Sequence, residues 1–111
     1  MAEFELVAGG LRFPEGPEVM PDGRVILVEV AAGRITRVSP KGSKGIIAET
    51  GGGPNGLAIG PDGQLYCCNN GGFEYAESNG YLAPNGIAKD YSGGRIARLD
   101  IDTGEIEVLY N

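Results

Sequence analysis

One phrase is written twice in this chain, and it limits the fold more than any other feature. Pro14-Glu15-Gly16 and Pro21-Asp22-Gly23 return, both 40 positions on, as Pro54-Asn55-Gly56 and Pro61-Asp62-Gly63. The Gly33-Arg34-Ile35 that follows returns after a longer step as Gly94-Arg95-Ile96, so the second copy carries an insertion over roughly 71–92. Between these markers the apolar residues recur with period two, in RVILVEV (24–30), GRITRVS (33–39), QLYCCN (64–69) and GRIARLD (94–100). Short, β-branched or aromatic stretches bracketed by Gly, Pro or Asp are strands, and nowhere does a capped amphipathic helix appear. The chain is expected to be all-β.

Each copy reads as a short strand, a Pro-Asp-Gly turn, a second strand, a loop, a third strand opening with Gly-Arg-Ile, and a fourth. The fourth strands are KGIIAE (44–49) and EIEVLY (105–110), and a similar piece, EFELVA (3–8), precedes the first copy. Four-stranded antiparallel sheets at this spacing are β-propeller blades. The expected organisation is one partial propeller over 1–111: a strand in 1–12 that completes the last blade, a first blade at 13–50, and a second at 51–111 with its insertion. The N-terminus looks native, and the C-terminus falls at a blade boundary. Two blades do not close a ring, so the remaining blades are expected from a longer chain or from other copies of this one.

Composition narrows the chemistry. With 111 residues the chain has a modest core. Its net charge of −6 and lack of a Lys/Arg-rich run argue against nucleic acid as a partner. No apolar run reaches the length of a membrane span, and the N-terminus lacks the regions of a signal peptide, so no membrane partner is expected. The adjacent Cys67 and Cys68 would make a strained bridge; they read as small filler residues in a reducing, cytoplasmic setting. The absence of histidine removes the commonest general base and every Ser-His or Cys-His pair.

Equivalent positions in successive blades lie on one ring around the channel axis, and those just before the innermost strand sit at its mouth. Glu15 and Asn55 occupy that position, each between residues that fix the backbone. A carboxylate and an amide carbonyl are hard oxygen donors that suit Ca²⁺, Mg²⁺ or Mn²⁺. The alternative is that both tips bond nearby turn amides. Asn69, Asn70 and the insertion follow the second strand of blade 2. The insertion either covers the mouth, with Tyr75, Tyr81 or Tyr91 as pocket walls, or forms an extended surface hairpin. Asn85-Gly86 within it reads as the hairpin turn. Glu29, the counterpart of Asn69, reads as a solvated edge charge rather than a channel-lining group. Gly51-Gly52-Gly53-Pro54-Asn55-Gly56 satisfies a dinucleotide fingerprint only literally, because a strand and not a helix follows. The DIDTGE stretch (100–105) lacks the central glycine and closing glutamate of a calcium loop and reads as a hairpin turn.

The phrases FPEGP, GGGPNGLAIGPDGQLYCCNNGGFE and GGRIARLDIDTGEIEVLY, taken in order, resemble the gluconolactonase/regucalcin-like (senescence marker protein/gluconolactonase/luciferin-regenerating enzyme) propellers. Diisopropylfluorophosphatase and the paraoxonases are more distant relatives. The resemblance implies about two blades of a six-bladed propeller, with a divalent cation at one mouth of the channel. Calcium is foremost, with zinc, manganese or magnesium as alternatives. It implies Glu15 as a metal ligand and Asn55 as a contact to metal or substrate. The remaining ligands and the general base would come from later blades. The activity implied is that of a hydrolase of the sugar-lactonase type, with the cation polarising the lactone carbonyl and Asn55 toward metal or substrate; Asn69 and Tyr75, from the loop after the second strand of blade 2, are the further substrate-side candidates. On this reading the two blades alone are inactive. The rivals are a non-enzymatic binding or scaffold propeller, a self-assembling module closing a ring as a homotrimer, and an enzyme acting on an ester or organophosphate.

Overall fold

A computed structural model describes residues 3–111. It contains ten strands: β1 (Pro14–Val19), β2 (Val25–Glu29), β3 (Arg34–Val38), β4 (Lys44–Glu49), β5 (Pro54–Ile59), β6 (Leu65–Asn69), β7 (Phe73–Ser78), β8 (Tyr81–Ile87), β9 (Arg95–Leu99) and β10 (Ile106–Tyr110). They form two four-stranded antiparallel sheets, β1-β2-β3-β4 and β5-β6-β9-β10, and a separate β7-β8 hairpin. These are the two expected blades. Among the described residues no helix is long and apolar enough to cross a membrane.

The period-two pattern decides which side chains meet. Ile26 and Val28 of β2 point to one face with Ile35 of β3 and Ala48 of β4. They pack against Leu65, Cys67, Ala97 and Leu99 from the facing side of the second sheet, and this layer between the blades is the core. Cys67 is buried there while Cys68 next to it is exposed, as alternation along β6 requires.

Both Pro-Asp-Gly turns close the same way. The Gly23 and Gly63 amides donate to the carbonyls of Met20 and Gly60, at 2.9 and 3.0 Å. Asp22 and Asp62 accept the amide two residues on. At the base of blade 2, Asp100 accepts the amides of Asp102 and Thr103, so 100–105 is the hairpin turn the sequence suggested.

The insertion is a hairpin, but its turn is not at Asn85-Gly86. Asn79 and Gly80, both at positive φ (54° and 80°), make the two-residue connection. Asn85 and Gly86 lie inside β8, where the register slips between the pairs Phe73↔Ile87 and Tyr75↔Pro84. Two Asn-Gly pairs compete, and the one midway between strands of matching length wins. The other supplies the extra residue of a β-bulge.

Residues 3–8 lie in no sheet, with Phe4 96% and Leu6 86% exposed. Each blade already carries four strands of its own, so neither has a vacant place for this one. The segment is instead held near blade 1 by Lys44, whose Nζ donates to the Gly9 carbonyl at 2.6 Å.

Candidate functional site

The Glu15 corner is set by what flanks it. Phe13 has a positive φ of 58°, an unusual conformation for an aromatic residue, and Pro14 then fixes the entry to β1. Glu15 pairs with Val28, and the register slips before the next pair, Glu18↔Ile26. Asn55 lies at a comparable irregularity: Pro54 pairs with Asn69 and Gly56 with Cys68, leaving Asn55 as the extra residue. Such bulges re-aim a side chain out of the ladder. Glu15 and Asn55 are both exposed, and among the described residues Glu15 forms no ion pair.

The two corners touch. A Cβ on Gly16 would lie 3.2 Å from the Leu57 amide nitrogen and 3.3 Å from the Asn55 carbonyl oxygen. With φ at 57° as well, any side chain there would be strained, and glycine is favoured. Glu15 also lines a cleft of about 310 Å³ with Leu11, Pro14, Pro17 and Leu27.

Behind the corners stand two buried polar side chains. Glu29 is fully buried, which corrects the expectation of a solvated edge charge. Its Oε1 accepts the Arg12 amide at 2.9 Å and Arg34 Nη2 at 3.0 Å; its Oε2 accepts Arg34 Nε at 2.8 Å and the Thr36 hydroxyl. Burial alone would raise its pKa, but these donors outweigh it and bring the carboxyl to about 2. The physical reason for the miss is register: Arg34 stands directly opposite Glu29 in the ladder, so the charge is neutralised inside the sheet.

Asn69, considered above as a substrate contact, is also buried. Its Oδ1 accepts the amides of Gly53 and Gly71, both at 2.9 Å, and its Nδ2 donates to the Gly51 carbonyl at 2.9 Å. The amide is thus committed to the loops on either side of the Asn55 corner. Arg95, the counterpart of Arg34, is opposite Asn69 in the ladder but donates instead to the Thr50 carbonyl at 2.9 Å, in the link between blades. Asn70 accepts the Gly72 amide in a local turn.

Tyr75 is half-buried, and its ring packs against that of Phe13 with centroids 5.8 Å apart and planes tilted by 50°. Burial pushes its phenol pKa up. The hairpin is therefore rooted beside the Glu15 corner. It also lies beside the Asn55 corner, because Gly72 sits against Gly52. Tyr91 lies over Gly71, whereas Tyr81 stands exposed next to the tip of the hairpin.

Sequence reasoning missed the Glu29–Arg34 pair and the tie from Arg95. The signal was present in the conserved spacing of the two copies, since Gly-Arg-Ile places an arginine opposite residue 29 and again opposite residue 69. Among the described residues no three His, Cys, Asp or Glu side chains cluster as a metal-holding group. Glu15 and Asn55 are each the second residue of their blade's first strand, and a hard cation takes six or more oxygens.

A family model described as SMP-30/Gluconolactonase/LRE-like region matches residues 13–111. None of the curated proteins compared with the chain matches it.

Proposed function

The chain belongs to the SMP-30/gluconolactonase/LRE-like family, and from that membership we propose that it forms the first two blades of a metal-dependent sugar-lactonase propeller. The observation that supports the reading is the closeness of the corners: the Gly16 backbone lies against that of Asn55, so the residues carrying the two oxygen side chains are neighbours. Glu15 holds a divalent cation, calcium foremost, through its carboxylate. Asn55 offers its carbonyl to the same ion or its amide to the substrate. A cation bound there supplies Lewis-acid polarisation of the lactone carbonyl. Tyr75, fixed by Phe13, forms one wall of the substrate pocket. The carboxylate that moves the proton, and the oxygen donors that complete the shell, come from outside these two blades. A reducing cytoplasm suits the two free cysteines.

The flanking faces support a need for further blades. On one outer face Val19 is 71% exposed, and on the other Tyr110 is 70% exposed beside its ladder partner Ile96. Neighbouring blades of a longer chain would cover both faces and offer an edge to residues 3–8. A ring of three copies would cover the faces but leave residues 3–8 without a vacant edge, since both blades are already four-stranded.

The test is hydrolysis of a sugar lactone by the closed propeller, assayed with calcium and with chelator. Turnover that needs the cation and is lost in Glu15→Gln supports the reading. A closed propeller with no cation-dependent turnover would favour a binding or scaffold protein instead.

A further inference from the structure

Resting on that reading of Glu15 and Asn55, we infer that Glu29 and Asn69 are the positioning residues of the two corners. Neither reaches for a ligand; each clamps the backbone that aims the side chain in front of it. Their places are equivalent, Glu29 paired with Pro14 and Asn69 with Pro54. Glu29 takes the Arg12 amide and Asn69 the Gly53 amide, in each case the main chain entering the corner, at 2.9 Å. A backbone bond from the next residue completes each clamp: Val30 donates to Phe13 at 3.0 Å, and Asn70 to Gly53 at 2.8 Å.

The difference between the two residues has a consequence of its own. Four donors occupy the Glu29 carboxylate, so no lone pair remains for a cation, and Arg34 cancels its charge. It therefore supports Glu15 without competing with it. The neutral amide of Asn69 does not hold its facing arginine, and Arg95 is free to tie the inter-blade link at Thr50. Blade 1 thus fixes its corner from within its sheet, while blade 2 fixes both its corner and its join to blade 1. A clamp of this kind also holds Phe13 in its unfavourable φ, at a position where a relaxed backbone would turn Glu15 away.

The experiment uses the closed propeller carrying Glu29→Gln, which keeps the shape but cannot accept the full fork of Arg34, with Val38→Ala as a control destabilised at the other end of the same sheet. Two quantities are read by NMR: exchange of the Arg12 and Val30 amides, and calcium affinity followed at the Glu15 and Asn55 amides. In Glu29→Gln, exchange at Arg12 and Val30 should rise about tenfold or more while the β2–β3 ladder stays protected, and calcium affinity should fall about tenfold or more. Val38→Ala should lose stability and keep its calcium affinity. Equal calcium affinity in wild type and Glu29→Gln would overturn the inference, as would an equal loss in both variants. If Glu29→Gln does not fold, Asn69→Ser makes the same test at the second corner, with the loss read at Asn55. A wild-type closed propeller that shows no calcium response overturns the cation reading itself. Unchanged Arg12 exchange in Glu29→Gln overturns the clamp, whatever the metal does.

Discussion

A methyl group on Gly16 would come 3.3 Å from the carbonyl oxygen of Asn55, so the first strands of the two blades lie together where the repeat changes its oxygen-bearing side chain. The φ of 57° at Gly16 adds a second demand for glycine. Gly16→Ala is expected to cost roughly 1–3 kcal/mol, from the strained backbone and the close contact together. Urea denaturation checks the loss. A stability equal to that of wild type would mean that the corners are not in contact.

The Glu29 carboxyl should shape the acid limb of stability. Its pKa falls from an ordinary 4.5 to about 2 in the folded chain. A depressed folded value contributes stability that is fully present above pH 4.5 and is lost as pH falls toward 2. The contribution is on the order of 3 kcal/mol at most. Denaturation midpoints at pH 6 and pH 3 should differ in wild type, and by clearly less in Glu29→Gln.

Tyr75 ties the hairpin to the corner through Phe13. Tyr75→Ala should destabilise the chain by about 1–3 kcal/mol, part of it the aromatic pair itself. Tyr75→Phe keeps the ring and should stay within about 0.5 kcal/mol of wild type. Thermal unfolding of both variants separates ring packing from any role of the hydroxyl in stability.

The adjacent cysteines should behave as different groups. Burial pushes the Cys67 thiol up to about 11, while Cys68 is exposed. A thiol reagent at pH 8 should therefore label Cys68 in the native chain and reach Cys67 only in denaturant. Peptide mapping of the labelled protein assigns the sites.

The blades were legible because strand alternation and Pro-Asp-Gly turns are local signals, and two copies of each reinforce one another. Glu15 and Asn55 stood out for the same reason: a repeated corner with a changed tip. The hairpin turn was misplaced because Asn79-Gly80 and Asn85-Gly86 are equally good turns in isolation, and only the pairing of Phe73–Ser78 with Tyr81–Ile87 chooses between them. Glu29 was misread because its burial depends on partners distant along the chain, notably the Arg12 amide 17 residues away. Residues 3–8 carry a strand pattern whose pairing partner neither blade supplies.

Glu15 and Asn55 are proposed to share one cation. An NMR titration of the closed propeller, as wild type and as Glu15→Gln, with calcium chloride tests this most directly. The expected result is a joint, saturable shift of the Glu15 and Asn55 amides in wild type that is lost in Glu15→Gln. Saturable shifts that survive in Glu15→Gln, or that leave Asn55 unmoved, would contradict it.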